Sequence, residues 1–220
     1  MDENAARSSL ISADLESRLA ELFGALKKDV TLCCLFGNDE KSEEMRVFAE
    51  HLVSLSPKLK LNSAAAGEKP EWEQLFGLGL FPATGIWNEN GFCRASFHGV
   101  PGGHELSSFV TAILAAGDSA EPLDKATLKD IAKIKRPISV EICVSLGCQH
   151  CAKLVMAAQR IAYENPAVSA HMIDANLYPE LVSKYQIQRV PVVVSNGSVL
   201  SVGGMTLFEL SALLRKQPGN

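Results

Sequence analysis

Two cysteines three positions apart, Cys148 and Cys151, enclose Gln149 and His150. A pair at this spacing can close a small disulfide and reopen it, which is dithiol–disulfide exchange. Ile138 to Val144 just upstream reads as an apolar strand. Downstream, Leu154, Val155, Ala158, Ile161 and Ala162 fall on one face of a helix. The motif therefore sits where a strand hands over to a helix. Free amides and the positive dipole end of a helix start favour a thiolate over a thiol. Cysteines so placed titrate about a unit or more below the free value of roughly 8.5. Cys148 is the expected attacker, and Cys151, one turn in, the shielded thiol that resolves the mixed disulfide. The competing use, half of a structural zinc site, would need a second ligand pair. His150 lies in the same loop and there is no second Cys-x-x-Cys.

The other cysteines carry less. Cys33, Cys34 and Cys143 lie in apolar runs and Cys93 in the outgoing arm of a hairpin, where cysteine behaves as a small buried hydrophobe. His51, His98, His104 and His171 show no ligand spacing, and Trp72 and Trp87 read as core or rim residues. Six cysteines in 220 residues do not make a secreted disulfide framework. A net charge of −4 with 21% charged residues shows no basic block for nucleic acid or an anionic membrane. No run reaches the roughly 18 apolar residues of a membrane span. Met1 to Ser9 is polar and lacks the apolar core of a secretory signal, so a cytoplasmic location is expected.

The elements that must hold the motif occur twice. After a helix over 12–26 come a strand at 30–35, a helix at 41–55, strands at 58–62, 83–87 and 92–98, and a helix at 105–116. After a helix over 123–134 come a strand at 138–144, a helix at 149–163, a strand at 168–173, a short helix at 179–185, strands at 191–195 and 198–202, and a helix at 206–215. Each half is βαβ followed by ββα. Cys34 and Cys143 are 109 positions apart, as are Pro82 and Pro191, while the turns Asn90-Gly91 and Asn196-Gly197 are 106 apart. This is the signature of an internal duplication. The same offset carries Cys148 and Cys151 onto Asp39 and Ser42, so the first copy has no thiols at the equivalent place. Gly117 to Pro122 has linker composition. The expected organisation is α/β, two tandem folds over 1–117 and 118–220, each a mixed sheet flanked by helices, with only the second redox-equipped.

A strand, Cys-x-x-Cys at a helix start and Val190-Pro191 before a hairpin form the pattern of the thioredoxin fold. The stretches 144–151, 172–174, 190–197 and 204–207, with Gly99 to Glu105, resemble the N-terminal domain of the flavoprotein component of alkyl hydroperoxide reductase, a tandem, glutaredoxin-like arrangement with a cysteine-free first copy. The resemblance implies a relay of electrons from a flavin-dependent NAD(P)H reductase to a peroxiredoxin. No Gly-x-Gly-x-x-Gly follows any strand, so this chain is expected to hold no cofactor. FAD and NADH would belong to a separate reductase or to a further portion of a longer chain, and Arg215 to Asn220 reads equally as a native end or a cut linker. The sequence departs from the family at Gln149, since the histidine that usually follows the first cysteine stands one place later as His150.

The resemblance also implies that Pro191 is a cis-proline facing the disulfide, with Pro82 its counterpart. It implies too that Glu105 approaches the disulfide from the first copy, where like-charge repulsion would raise the thiol pKa. On residue type alone Glu105 is equally a first-turn helix acid. Glu141 has two readings, an internal acid that handles protons or an exposed strand-end residue. Two other functions remain open: a general glutaredoxin or protein disulfide reductase, and a docking module switched by its disulfide. Asp39 and Ser42 argue against the version of the former with a dithiol in each copy.

Overall fold

Apolar residues at every second or every third-to-fourth position drive the elements into two thioredoxin-like units. The computed structural model describes residues 7–217. The polar start at residues 1–6 and the last three residues of the 215–220 stretch lie outside the described residues.

The first unit comprises the described part of Met1–Cys93 with His98–Val100 and Ile113–Ala120. It is built from α1 (Ala13–Gly24), β1 (Val30–Phe36), α2 (Glu40–Ser54), β2 (Leu59–Ala65), α3 (Pro70–Phe76) and β3 (Ala83–Asn88). β1 runs parallel to β2 and antiparallel to β3. Phe23, Phe36, Met45, Phe48 and Leu52 are fully enclosed around these elements. Burial of such a side chain contributes about 1.5–3 kcal/mol.

The second unit comprises Arg94–Phe97, Pro101–Ala112 and the residues from Glu121 onward. β4 (Gly91–His98) and α4 (Glu105–Ala116) thus contribute residues to both units. There follow α5 (Lys125–Ile131), β5 (Ile138–Val144), α6 (Gln149–Glu164), β6 (Val168–Asp174), α7 (Pro179–Lys184), β7 (Val192–Ser195), β8 (Ser198–Val202) and α8 (Leu207–Leu214). The strand order here is β4-β6-β5-β7-β8. α6 turns Leu154, Val155, Ala158, Ile161 and Ala162 into the core and caps its start with Cys148.

Two features differ from the sequence expectation. Helix α3 is not apparent in the sequence, because Phe76 is its one buried residue and no apolar period reveals it. Pro70 starts it and Gly77, at φ +79°, ends it. The second is a slip in register. The residue after cis-Pro191, Val192, pairs with Cys143, whereas the residue after cis-Pro82, Ala83, pairs with Leu35. Leu35 is therefore the counterpart of Cys143, and β1 and β5 repeat at 143 − 35 = 108 while the helix starts repeat at 148 − 39 = 109. One extra residue in the loop before α6 absorbs the difference. Because strand faces alternate, the slip puts Cys34 and Cys143 on non-equivalent faces.

Candidate functional site

The β5–α6 junction delivers both cysteines. Cys148 is the N-cap of α6, with extended backbone at φ −96° and ψ 103°, and its N–H donates to Ser145 O (2.9 Å). Cys151, on the first turn, donates its N–H to Cys148 O (3.1 Å) and is fully buried. The two sulfurs are joined in a disulfide across a Cα–Cα separation of 5.4 Å. Cys148 is half-buried, and Gln149 and His150 are exposed. One sulfur is therefore approachable and one shielded, the asymmetry that exchange requires.

Two loops flank this junction. On one side Gly203 donates its N–H to Pro191 O (2.8 Å), and Gly204 lies beside His150, where an added Cβ would stand in ordinary contact, 3.9 Å from the His150 Cβ. The Val190–Pro191 peptide is cis, and Gly203, the partner of the Pro191 carbonyl, directly precedes the glycine beside His150. On the other side His104 donates its N–H to Leu146 O (2.9 Å), and Gly103 at φ +54° lies where a Cβ would meet that same oxygen at 2.5 Å. Only glycine permits this approach. Sequence reasoning passes over Gly103 as a positioning residue, although its place in Gly102-Gly103-His104 is the available signal.

Glu105 opens α4 immediately after that contact. It is completely enclosed, with Oε2 accepting from Ser108 Oγ (2.6 Å) and Oε1 without a hydrogen-bond partner. Burial, reinforced by the nearby Asp174 carboxylate and opposed by the Ser108 hydrogen bond, pushes its carboxyl up to about 7. It is a first-turn acid of α4, as its residue type alone allows, but a buried one. Asp174, at the end of β6, is itself buried and accepts from the backbone N–H and Nδ2 of Asn176, both at 3.1 Å. Sequence reasoning does not single it out, because a lone Asp after an apolar strand resembles an ordinary turn residue.

Glu141 lies mid-strand in β5, opposite His171 and Val194, and is only 9% exposed. The exposed strand-end reading is therefore wrong. Desolvation raises its carboxyl, with the charge of Lys184 and a hydrogen bond from Tyr185 working against it. It contributes in turn to the neighbouring Cys143, whose thiol burial drives up to about 12.

The remaining cysteines are packing residues. Cys33, Cys34, Cys93 and Cys143 are free and buried, and desolvation pushes Cys33 and Cys34 up to about 12. His51, His98 and His171 are buried with hydrogen-bond partners in the protein, such as Ser96 Oγ on His171 Nδ1 (2.7 Å). Trp72 and Trp87 are half-buried with their ring centroids 5.8 Å apart in an aromatic cluster of the first unit. Among the described residues no group of three or more His, Cys, Asp or Glu side chains converges as metal ligands. No helix among them is long and apolar enough to cross a membrane.

In the first unit the helix start of α2 holds other chemistry. Asp39 is its N-cap and accepts the Ser42 N–H (2.9 Å) and Ser42 Oγ–H (3.1 Å), while Ser42 Oγ accepts from the Gly37 N–H (2.8 Å). Asp39 is exposed and Ser42 buried, the accessibility pattern of Cys148 and Cys151 with oxygen in place of sulfur. The first unit also keeps its cis proline, Phe81–Pro82, with the Gly99 N–H on Pro82 O (2.9 Å).

Comparison with known proteins agrees with this geometry. A thioredoxin-domain profile matches residues 138–215. The chain is 33% identical to a crystal structure of the NTD_N/C domain of the alkylhydroperoxide reductase AhpF of Enterococcus faecalis, covering 93% of this chain and 99% of that one, with a TM-score of 0.87. It is 28% identical over 205 residues to the F component of the alkyl hydroperoxide reductase of Staphylococcus aureus, and 27% identical over 203 residues to an NADH dehydrogenase of Bacillus subtilis. The matches cover 93% and 92% of this chain, which spans 38% of the length of each of those relatives. A protein disulfide oxidoreductase of Aeropyrum pernix shares the fold at a TM-score of 0.82 and 20% identity.

Proposed function

The chain belongs to the family of AhpF N-terminal domains of alkyl hydroperoxide reductases, and from that premise we propose that it relays electrons from a flavin-dependent NAD(P)H reductase to a peroxiredoxin through Cys148 and Cys151. The observation that carries this is the Cys148–Cys151 disulfide at the start of α6, with one sulfur approachable and the other enclosed. As a thiol–disulfide oxidoreductase the domain needs no bound cofactor. Flavin and nicotinamide chemistry belongs to the reductase, separate or continuous with a longer chain, and hydride transfer ends there.

In the reduced domain the Cys148 thiolate attacks one sulfur of the partner disulfide. A bond forms between Cys148 Sγ and that sulfur, the partner S–S bond breaks, and the other partner sulfur leaves as thiolate. Cys151, losing its proton, then attacks Cys148 Sγ, closes the ring and expels the second partner thiolate. Two electrons pass to the partner, which takes up two protons to become a dithiol. The reductase recharges the domain by the reverse sequence. The first unit indicates how the thiolate is stabilised, since the Asp39 carboxylate accepts the N–H of the residue three on at 2.9 Å. A Cys148 thiolate in the same cap slot can accept the Cys151 N–H, which lowers its pKa. Pro191 presents the backbone of Val190 to an extended partner segment, and Glu105 tunes the thiol pKa through its charge.

Rapid mixing of the reduced protein with an oxidised peroxiredoxin tests the proposal. Thiols should appear on the peroxiredoxin as Cys148–Cys151 closes, and Cys148→Ser should stop this. Equal rates on insulin, glutathione disulfide and peroxiredoxin would favour a general reductase. A docking module would instead bind its partner equally in both redox states with Cys148→Ser in place and pass no electrons.

A further inference from the structure

The second unit carries a concavity that shares only Ile138, the first residue of β5, with the elements of the exchange site. A cavity of about 450 Å³ lies between the segment that follows α5 and the end of α8. Five cationic side chains line it: Lys133, Lys135, Arg136, Arg215 and Lys216. Two are partnered, with Lys133 Nζ at 2.5 Å and Arg215 Nη1 at 3.7 Å from Asp130 Oδ1. Among the described residues Lys135, Arg136 and Lys216 have no ion pair.

Helix C-termini ordinarily surround themselves with cations to offset free carbonyls. Here the carbonyls already have partners. Asn165 Nδ2 donates to both Ile131 O (2.8 Å) and Ile134 O (2.9 Å). At the end of α8, the N–H groups of Arg215, Lys216 and Gln217 bond to Ser211 O, Leu213 O and Leu214 O. Among the described residues one carboxylate, Asp130, thus pairs with two of the five cations, and the buried Ile134, Ile138 and Leu214 complete the lining. Like charges gathered around a concavity repel one another and concentrate counter-ions.

We propose that this cavity binds an anion carrying two or more phosphate groups. Its volume falls in the range of small-ligand sites, about 300–1,000 Å³. The planar forks of Arg136 and Arg215 suit bidentate phosphate contacts, and the lysines add point charges. A half-open hollow with cations contributed by two segments, 133–136 and 215–216, favours a compact group with several negative charges over an acidic stretch of polypeptide, which would demand a long strip of cations. The cations come from two segments about 80 positions apart, Lys133 to Arg136 and Arg215 to Lys216, which only the fold brings to one hollow.

The test titrates the full chain with inorganic pyrophosphate, with ADP and with hexaglutamate, read by calorimetry and by amide chemical shifts. Saturable one-to-one binding of pyrophosphate or ADP is expected, with shifts centred on residues 133–138 and 214–217. Tighter binding of pyrophosphate would assign free condensed phosphate, and of ADP a nucleotide-borne one. The exposed double substitution Lys135→Ala/Lys216→Ala should weaken binding at least about tenfold, since removing each charge-assisted hydrogen bond costs a sizeable part of a decade or more. Circular dichroism would confirm that the variant folds, and its Cys148–Cys151 exchange rate should not change. Shifts that do not saturate, affinity that the double variant leaves intact, or tighter binding of hexaglutamate would each overturn the proposal.

Discussion

The start of α2 and the start of α6 are one structural position solved twice. In the first unit a carboxylate and a hydroxyl lock the helix end, with Asp39 capping Ser42 and Ser42 holding Gly37. In the second, two sulfurs occupy the same places, and the Cys148 side chain accepts no cap hydrogen bond. Around both, the cis proline and the glycine that donates to its carbonyl are retained. The fold therefore supplies the same frame twice, and the two copies differ in whether sulfur or oxygen stands at the helix start. The units also bury ionisable groups of opposite kind. His98 in the first is held neutral, burial lowering its pKa to about 4, and Glu105 in the second is raised to about 7.

The largest contrast is catalytic. Cys148→Ser should reduce disulfide turnover to the uncatalysed level, while Asp39→Ala leaves it unchanged, as a coupled thiol-release assay would show. Residual turnover in the first variant, or its loss in the second, would contradict the division of labour. Next in size is thiol reactivity. Burial holds Cys33, Cys34 and Cys143 near 12, so at neutral pH their thiolate fraction lies about a thousandfold below that of a free thiol. Alkylation of the reduced, folded protein followed by peptide mapping should label Cys148 first and those three only on unfolding.

The pH response of stability should differ in sign between the units. Glu105, raised from 4.5 to about 7, leaves the folded state with more bound protons than the unfolded one in that window. Stability is therefore lost as pH rises from 4.5 to 7, by up to about 3 kcal/mol. Glu105→Gln should be more stable than the parent above pH 7, with the gap closing below 4.5, in denaturant titrations. His98 acts the other way: depressed from 6.5 to about 4, it withdraws stability as pH falls through that range. Proton NMR should find its ring neutral down to about pH 4. Smallest is the cap itself. Asp39→Ala should cost about 1 kcal/mol through the missing hydrogen bond from the Ser42 N–H.

Much of this is readable in the sequence because it rests on local pattern. The apolar spacing of α6, the strand at 138–144 and the Cys-x-x-Cys between them are sequence-local, and the structure places α6 over Gln149–Glu164. What escapes depends on tertiary context. Helix α3 buries one residue and so leaves no period. The one-residue slip between strand and helix repeats is visible only in the pairing of Leu35 with Ala83 and Cys143 with Val192. Glu141 carries the charge of an exposed residue, but it is buried in the fold, where Tyr185 and Lys184 of distant sequence come to its carboxylate. The enclosure of Glu105 and the nearness of Asp174 join residues about 70 positions apart, which no local spacing reports.

The most direct test of the central claim is to react reduced Cys151→Ser protein with an oxidised peroxiredoxin and map the trapped mixed disulfide by mass spectrometry. The account predicts a single adduct on Cys148 and none on Cys33, Cys34, Cys93 or Cys143. An adduct on any of those four cysteines, or no adduct at all, would contradict it.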